Sequence, residues 1–432
     1  MHLTSISEIY TIFKQHPYIS TDSRLASAGS IFFALKGDNF DGNKYAHSAI
    51  EKGVAYAVID NPEYYNGNKT LLVDDTLTAL QQLASLHREN LNIPIIGITG
   101  SNGKTTTKEL IAAALSARFN THATPGNLNN HIGVPLTVLS VGPETEIAIV
   151  EMGANHVGEI AALCTIARPT HGIITNIGKA HLEGFGGPEG VIKAKSELYQ
   201  HLYNFGGTVF VNSNNPLLMS LSDNLNRILF GSDENLTYSA KVSDHGPMLK
   251  VDVIKPLEMV IQTKLTGNYN FENVMAAFTI ASHFKVNSEL IKQAIETYEP
   301  KMNRSQVLET SKNTLILDAY NANPSSMESA IGNFSSIKKL PKVMILGDMF
   351  ELGDAAPEEH TAILKMALMS DAVRIITAGQ HFYNAAKDFE NIQAFPDVAT
   401  LRNQLINEPV QGCLVLIKGS RGMKLETITD LL

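Results

Sequence analysis

A short loop after a strand-like run is the first place in this sequence where residue types and spacing could do chemistry. The run 95–99 leads into Gly100, Ser101, Asn102, Gly103, Lys104, Thr105 and Thr106. Such loops bind phosphate through convergent backbone N–H groups and the partial positive charge of the helix that follows. Lys104 can reach the outer phosphates, and the Thr105 hydroxyl can ligate Mg²⁺. The strict motif has glycine where this chain has Ile98, so the loop is a variant that turns at Gly100. We expect the chain to bind a nucleoside triphosphate.

Two further side chains stand just beyond predicted strands of the same region. Glu151 follows the apolar run 147–150, and His181 follows the run 173–180. Ligands of open parallel sheets lie beyond the carboxyl ends of the strands. We therefore expect Glu151 to hold Mg²⁺, whose ligands are oxygens. For His181, position alone leaves a ligand role and a structural role equally open.

Other polar residues leave alternatives open. Taken alone, Lys195 is expected to lie on the solvated face of a helix near 191–198. The asparagine-rich stretches 126–133 and 321–324 suit either turns or the recognition of polar ligands by amides. Arg421 follows a predicted strand and could either bind a carboxylate or phosphate or lie exposed in a turn.

Three regions must position these side chains, and together they predict an α/β fold. Residues 1–90 have short apolar runs between turn signals, which predicts a small α/β domain. Residues 91–299 alternate strand and helix, which predicts a mostly parallel sheet around the phosphate loop. Residues 300–432 predict a second doubly wound, Rossmann-like domain.

The apolar periodicity places the main elements of the second and third regions. In the second we predict strands at 93–99, 146–152, 172–176 and 207–212 and helices at 104–118, 158–167, 191–202, 273–284 and 288–298. In the third we predict strands at 314–319, 342–346, 374–378 and 413–418 and helices at 360–369 and 385–389. The predicted strands 146–152 and 172–176 end close to Glu151 and His181, respectively, as expected for a ligand site.

Composition narrows the class of protein. The chain has 432 residues, of which 44% are hydrophobic and 18% charged, which is ordinary for a globular protein. Its net charge of −9 disfavours nucleic-acid binding by bulk electrostatics. We find no run of membrane-spanning length and no signal-peptide pattern. Cys164 and Cys413 fit no metal or redox spacing. We expect a cytoplasmic monomer.

Taken in order, the motifs resemble the Mur ligase family over nearly the whole chain. The matching stretches are 21–24, 29–37, 41–42, 99–106, 126–135, 150–156, 175–178, 180–186, 194–197, 318–327, 346–353 and 418–421. Within the family they are most similar to the ligases that act on a UDP-N-acetylmuramoyl tripeptide and D-alanyl-D-alanine in peptidoglycan synthesis. The resemblance implies that ATP phosphorylates the tripeptide carboxylate and that the dipeptide amine then displaces phosphate.

The resemblance also implies roles at the phosphate loop and the strand ends. Lys104 would contact the phosphates, Thr105 and Glu151 would hold a first Mg²⁺, and His181 would hold a second. Lys195 matches a lysine that can be carbamylated and then supports the second metal, which replaces the solvated-face interpretation. Carbamylation needs a neutral amine, so the surroundings must lower the lysine pKa.

On the nucleotide side, the resemblance implies that Asn270 lies near the adenine and that Arg304 and Asp318 contact the nucleotide. Two residues depart from the family pattern. Tyr269 stands where the family usually has histidine, and Asn303 stands where it usually has glycine before the arginine. Neither departure touches the residues implied for metal and phosphate.

On the substrate side, the resemblance implies three groups of contacts. Ser23 and Arg24 would bind the uridine diphosphate part. The substrate channel would be lined by Asn127, Asn155 and His156. The residues implied to face either the dipeptide or ATP are Asn321, Asn323, Asp348 and Glu351. The third residue of the tripeptide, diaminopimelate or lysine, stays open.

Three other functions each conflict with a feature of the sequence. A sister ligase that adds a diamino acid would have Asp-Asn-Pro-Arg in the third region, where this chain has Asn323-Pro324-Ser325. Folate polyglutamylation shares the fold of the last two domains but leaves Asp22, Ser23 and Arg24 unexplained. A nucleotide-dependent switch of the GTPase type would need an Asn-Lys-x-Asp motif, which the sequence lacks.

Overall fold

Three sheets follow one another along the chain, each with helices packed on it. The computed structural model describes residues 2–244, 248–301, 303–338 and 341–432. Within those ranges the sheets have four, nine and six strands, and a two-stranded ribbon accompanies the first. No helix in these ranges has both the length and the apolar character needed to cross a membrane. The three-domain α/β prediction is confirmed.

The first domain is built on a parallel sheet of order β1-β2-β5-β6. Its strands are β1 Ile19–Ser20, β2 Ile31–Phe33, β3 Lys36–Gly37, β4 Phe40–Asp41, β5 Tyr56–Ile59 and β6 Thr70–Leu72. Its helices are α1 Ile6–Phe13, α2 Ala46–Glu51 and α3 Thr76–Glu89. Helix α3 begins at Asp75, whose side chain accepts a hydrogen bond from the Thr78 amide. Leu80 and Leu83 of α3 share one core with Val134 of the central domain, so the first two domains are packed together.

The central sheet has the order β15-β14-β13-β12-β11-β10-β7-β9-β8 and is parallel from β8 to β13. Its strands are β7 Ile95–Thr99, β8 Thr121–Ala123, β9 Ile147–Glu151, β10 His171–Ile174, β11 Thr208–Asn212, β12 Asn226–Gly231, β13 Tyr238–Asp244, β14 Lys250–Lys255 and β15 Met259–Gln262. Its helices are α4 Lys104–Ser116, α5 Gly133–Leu139, α6 Glu159–Ala167, α7 Leu182–Phe185, α8 Pro188–Asn204, α9 Pro216–Leu221, α10 Asn270–His283 and α11 Ser288–Thr297. The predicted elements of this region are confirmed. Strands β12 to β15 were not predicted.

The third sheet has the order β16-β17-β21-β18-β19-β20, with only β16 antiparallel among its described strands. Its strands are β16 Gln306–Glu309, β17 Thr314–Asp318, β18 Lys342–Gly347, β19 Arg374–Ala378, β20 Gln393–Phe395 and β21 Leu414–Lys418. Its helices are α12 Pro324–Ser336, α13 Ala356–Leu368, α14 Gln380–Ala385 and α15 Val398–Asn407. The helical segment predicted at 385–389 is present, but as a 3₁₀ helix and not as an α-helix. Helix α14 ends at Ala385, and a 3₁₀ turn follows over Ala386–Asp388.

The third domain is seated against the phosphate loop of the central domain. Asn323 donates a hydrogen bond to the side-chain oxygen of Asn102 at 2.8 Å. The Lys179 amide donates to the Ser325 hydroxyl at 2.9 Å, and the Lys179 ammonium pairs with Glu359 at 2.6 Å. These contacts join the amino end of α12 and helix α13 to the central domain, so the arrangement is closed.

Candidate active site

A cavity of about 760 Å³ lies between the central and third domains. It is lined by the carboxyl ends of central strands, by the start of α4 and by loops of the third domain. The residues expected from the sequence that line it are Asn102, Gly103, Lys104, Thr105, Thr106, Asn127, Glu151, Asn155, His181, Asn270, Arg304, Asp318 and Asn321. Residues far apart in sequence therefore meet at one place.

The phosphate loop owes its shape to two glycines. Gly100 has a φ of +144°, and a Cβ there would collide with Oγ1 of Thr175. Gly103 has a φ of +78° and begins α4. Between them, the Ser101 amide donates to the Asn176 carbonyl at 2.9 Å. The turn predicted at Gly100 is confirmed. Gly100 shapes the loop from behind the cavity wall and does not line the cavity.

The Lys104 ammonium is folded back into its own loop. Its Nζ donates hydrogen bonds to the carbonyl oxygens of Gly100 at 2.6 Å and Ser101 at 3.1 Å. Burial lowers its pKa to about 8, and the nearby positive charge of Arg304 adds to the effect. The negative charge of Glu151 opposes this lowering of the pKa, and a phosphate in the cavity would oppose it further.

Glu151 and Thr105 form a pair of oxygen donors at the cavity floor. Glu151 is 1% exposed, and its Oε1 accepts hydrogen bonds from the Thr105 hydroxyl at 3.1 Å and the Asn129 amide at 2.8 Å. Its Oε2 accepts no hydrogen bond in the described part of the chain and lies 3.6 Å from Lys108 Nζ. A buried carboxylate oxygen with unused capacity beside a hydroxyl fits a magnesium ligand set.

The protein alone supplies few metal ligands here. Among the residues that the structure describes, no group of three or more His, Cys, Asp or Glu could hold a metal ion. Magnesium is usually bound by one or two carboxylates together with water and substrate phosphates, because it keeps much of its hydration shell. The Thr105–Glu151 pair fits that pattern, with the nucleotide completing the site.

His181 stands at the edge of the cavity in an unusual backbone conformation. Its φ is +52°, in the left-handed region that few non-glycine residues adopt. Its Nδ1 pairs with the carboxylate of Glu351, which comes from the third domain. A hydrogen bond from His181 holds the pKa of Glu351 below its usual range. The pairing leaves Nε2 as the ring nitrogen that could bind a ligand. Glu351 itself does not line the cavity.

Lys195 is buried in helix α8. Its side chain is 1% exposed, with Nζ 3.4 Å from the Ala154 carbonyl oxygen and 5.0 Å from the centre of the Phe185 ring. Burial lowers its pKa to about 7, and repulsion from Lys104 adds to the effect. The interpretation of Lys195 as a solvated helix face is therefore wrong.

The third domain contributes a cation and an anion to the cavity. The Arg304 guanidinium lies 3.5 Å from the centre of the Tyr320 ring, and its Nε has no hydrogen-bond partner in the described residues. Asp318 accepts a hydrogen bond from Lys418 Nζ at 2.7 Å. Arg421 also lies over the Tyr320 ring, at 5.0 Å, but outside the cavity lining.

Asn270 lines the cavity with its side chain already engaged. Its amide donates to the Thr266 carbonyl at 2.7 Å, and its Oδ1 accepts from the Asn273 amide at 2.8 Å. Asn273 in turn accepts a hydrogen bond from the Thr107 hydroxyl of α4 at 2.9 Å. The start of α10 is thereby fastened to the helix that begins at the phosphate loop.

Asp348 is not placed where a ligand could meet it. Its side chain is buried, and its two oxygens accept hydrogen bonds from the amides of His381 and Phe382, both at 2.9 Å. The expectation that it faces a substrate needs correction, because the carboxylate caps the amino end of α14. Asn323 caps α12 through the Ser326 amide and touches the phosphate loop at Asn102 without lining the cavity.

Three expected substrate residues lie outside the cavity. Ser23 and Arg24 belong to the first domain, where the exposed Arg24 pairs with Asp22 at 2.7 Å. His156 pairs with Glu159 at 3.1 Å. The structure does not bring these three to the cavity.

Several residues in and around the site had no role predicted from the sequence, and three of them bear directly on its charges. Asn129 binds Glu151 at 2.8 Å, Lys108 is buried 3.6 Å from the same carboxylate, and Lys418 lines the cavity beside Asp318. Asn129 stood within the asparagine cluster already noted. Lys418 ends a predicted strand, which is the position that drew attention to Glu151. No signal in the sequence marked Lys108.

Comparison with known protein families gives three matches in chain order. Residues 17–88 match the model of the Mur ligase family catalytic domain. Residues 98–281 match the Mur ligase middle domain, and residues 303–421 match the Mur ligase glutamate ligase domain.

Individual relatives span almost the whole chain. The chain is 35% identical over 420 residues to the UDP-N-acetylmuramoyl-tripeptide–D-alanyl-D-alanine ligase of Bacillus subtilis, covering 95% of this chain and 92% of the relative. It is 32% identical over 428 residues to the Escherichia coli protein of the same name, with 95% and 92% covered. A crystal structure of MurF from Acinetobacter baumannii superposes with a TM-score of 0.88 at 31% identity, covering 100% of this chain and 99% of the other.

Proposed function

This chain belongs to the Mur ligase family, and on that premise we propose that it joins D-alanyl-D-alanine to a UDP-N-acetylmuramoyl tripeptide, using ATP, in peptidoglycan synthesis. One observation carries the proposal: a single cavity combines a phosphate loop, a buried oxygen-donor pair and an arginine from the third domain. The similar proteins of Bacillus subtilis and Escherichia coli are named for that activity. The match covers nearly their full lengths.

The reaction takes place in two steps. A carboxylate is a poor electrophile, so its oxygen first attacks the γ-phosphorus of ATP, the P–O bond to ADP breaks, and an acyl phosphate forms. The dipeptide amine then attacks the acyl carbon, the bond to phosphate breaks, and the amine loses a proton as the amide forms. The protein's contribution is to position the reactants and balance charge.

We assign the phosphates to the loop that begins α4. Residues 101–104 and the amino end of α4 line the cavity, and Lys104 would exchange its carbonyl partners for phosphate oxygens. Arg304 and Asp318 would contact the nucleotide from the third domain, with Asn270 near the adenine. The third domain already presents Arg304 to the cavity, and bound nucleotide would stabilise this closed arrangement.

We propose that Thr105 and Glu151 hold one Mg²⁺ and that His181 holds a second. Glu151 Oε2, which accepts no hydrogen bond among the described residues, supports the first assignment, and Nε2 of His181, the ring nitrogen that is not paired with Glu351, supports the second. Bound magnesium would neutralise the negative charge that develops as the phosphoryl group is transferred.

We propose that Lys195 is carbamylated. Burial lowers its pKa to about 7, so a neutral amine is present at working pH. The amine nitrogen would add to the carbon of CO₂ and release a proton, which converts a buried cation into an anion. The same Lys104 charge that repels the ammonium would attract the carbamate. The anion would support the second metal site.

We assign the muramoyl substrate to the side of the cavity that faces the first domain. Ser23 and Arg24 would bind the uridine diphosphate part, and Asn127, Asn155 and His156 would line the path of the peptide. Asn321 would meet the dipeptide or ATP. Since the cavity is completed within one chain, we propose a monomer, acting in the cytoplasm, where its two buried free cysteines need no pairing.

Phosphate release measured with each component omitted in turn tests the function. The mixture is ATP, Mg²⁺, UDP-muramoyl tripeptide and D-alanyl-D-alanine. We expect release only from the complete mixture, with a UDP-muramoyl pentapeptide seen by mass spectrometry. Release that needs another amino acid would reassign the chain to a sister ligase step, and steady release from ATP alone would support a nucleotide switch.

A further inference from the structure

The segment that enters the third domain has an unusual backbone on both sides of Arg304. Asn303 has a φ of +56° and Ser305 a φ of +51°, both in the left-handed region. Asparagine visits this region fairly readily, but serine adopts it only where its surroundings hold it there. The direction in which Arg304 leaves the backbone therefore depends on what holds Ser305.

Ser305 is held from both domains. Its amide donates to Asp318 Oδ1 at 3.2 Å, and the other oxygen of Asp318 accepts from Lys418 Nζ at 2.7 Å, so this anchor lies in the third domain. Its hydroxyl lies 2.8 Å from the phenol oxygen of Tyr269 in the central domain. Ser305 is 7% exposed, so neither bond competes freely with water.

Tyr269 is rigidly placed at the start of α10. Its ring lies against Gly267, where any Cβ would collide with it, so the turn before α10 accommodates this ring only because position 267 is glycine. Helix α10 is fastened to α4 through Thr107 and Asn273. Burial raises the pKa of the Tyr269 hydroxyl, which therefore keeps its proton and remains a donor. The phenol group extends the frame of the phosphate loop to the junction of the domains.

Arg304 needs such support because its remaining contacts leave it poorly fixed. Its guanidinium stacks on Tyr320, which restrains it in one direction, and its Nε is buried without a hydrogen-bond partner in the described residues. It faces the cavity that the phosphate loop also lines.

We propose that Tyr269 is a positioning residue of the ligase: its hydroxyl, bonded to Ser305 across the domain junction, fixes Arg304 against the nucleotide phosphates in the closed arrangement. The inference rests on the proposed function, since it assumes that Arg304 meets ATP. It gives a role to the position where this chain departs from the family pattern. Tyr269 and Ser305 also line the cavity, and the role proposed for the phenol hydroxyl acts through Ser305 and Arg304.

Steady-state kinetics of Tyr269→Phe test the inference, because the change removes one oxygen and keeps the ring. We expect kcat/KM for ATP to fall about three- to tenfold, the range of one lost hydrogen bond, with KM for the tripeptide within about twofold. Ser305→Ala should lower kcat/KM for ATP by a similar factor. The Tyr269→Phe, Ser305→Ala double variant should lower it no further than either single variant. In an Arg304→Ala background, Tyr269→Phe should change kcat/KM less than about twofold.

Tyr298→Phe is the matched control. The Tyr298 hydroxyl donates to Glu109 at 2.6 Å, a bond that stays within the central domain and outside the cavity. Its loss should lower the thermal midpoint and leave KM for ATP unchanged.

Two results would overturn the inference: an unchanged kcat/KM for ATP in Tyr269→Phe, or an equal further loss of kcat/KM when Tyr269→Phe is made in the Arg304→Ala background. Calorimetric ADP affinities of the same variants, which need no turnover, should weaken in parallel. A wild-type chain that fails to ligate would refute the proposed function instead, so the two failures are distinguishable.

Discussion

Glu351 of the third domain meets His181 of the central domain, and both residues have left-handed backbones, with φ of 61° and 52°. The loop before Glu351 is anchored in its own domain, since the Met349 amide donates to Nε2 of the buried His360 at 3.0 Å. The third domain thus presents a fixed carboxylate to the histidine expected to hold the second metal. A partner on the other ring nitrogen is a common way to orient a metal-binding histidine.

Replacing Glu351 with glutamine should weaken metal binding, because the neutral amide no longer orients and polarises the His181 ring. We expect about a tenfold higher Mg²⁺ requirement for activity, at the lower end of such effects because Glu351 is half exposed. Titration with Mn²⁺ in the presence of ADP, followed by electron paramagnetic resonance, reports the affinity without turnover. The exposed Glu358 offers a control, and equal affinities in Glu351→Gln and Glu358→Gln would disprove the role.

Lys195 should show a carbamate that depends on pH. With a pKa of about 7, its neutral fraction rises from about a tenth at pH 6 to about nine-tenths at pH 8. A carbamate carbonyl resonance in ¹³C-bicarbonate should grow over that range. Lys195→Ala should lose the resonance and about 100-fold in kcat, partly restored by short carboxylic acids. Lys193→Ala, an exposed position on the same helix, should keep both, and full activity of Lys195→Ala without additives would refute the carbamate.

Nucleotide binding should take up a proton at Lys104. Its pKa is about 8 without a ligand because the ammonium is buried, and phosphate would raise it by supplying a counter-charge. At pH 8 ADP binding should therefore take up about half a proton, and at pH 6.5 almost none from this group. Calorimetry in buffers of different ionisation enthalpy measures the uptake. Arginine stays charged over this pH range, so the Lys104→Arg variant should show no proton uptake from this position when ADP binds. Unchanged uptake in that variant would point to another group.

Asp348 should matter for stability and not for substrate affinity. Asp348→Ala removes the acceptor of the first free amides of α14, and we expect a loss of about 1–2 kcal/mol in the free energy of unfolding. Urea denaturation measures the loss, while KM for each substrate should stay within about twofold. Asn321→Ala, at a residue that lines the cavity, should show the opposite pattern. A large rise in KM for Asp348→Ala would restore the original expectation.

The sequence was most informative where chemistry is local. The phosphate loop is contiguous, so its glycines, Lys104 and Thr105 could be assigned together. Glu151 could be assigned because a strand end fixes which edge of the sheet it reaches. Taken alone, Lys195 was predicted to lie on a solvent-exposed helix face, because lysine is seldom buried. Yet the buried positions 191, 194, 195 and 198 follow the helical spacing i, i+3, i+4 and i+7, so the stripe was readable in retrospect.

Other parts could not be inferred because they depend on tertiary packing. Asp348 belongs to a motif that was expected to contact ligands. Only the fold shows that its two carboxylate oxygens accept hydrogen bonds from amides in the first turn of α14. The contact of His181 with Glu351 joins residues 170 positions apart, which no local pattern encodes. Strands β13 to β15 form an antiparallel edge. Their residues do alternate, as at Val251 and Val253 of β14, so this edge was readable from the sequence in retrospect.

The crowding around Gly100 bears on how this enzyme could escape an inhibitor. Any side chain there would collide with Thr175, and the backbone has a φ that side chains rarely allow. A compound that bound chiefly to the main chain of residues 101–104, which line the cavity, would rest on atoms that mutation cannot remove. A compound that relied on the Tyr320 ring would depend on a side chain that one substitution can change.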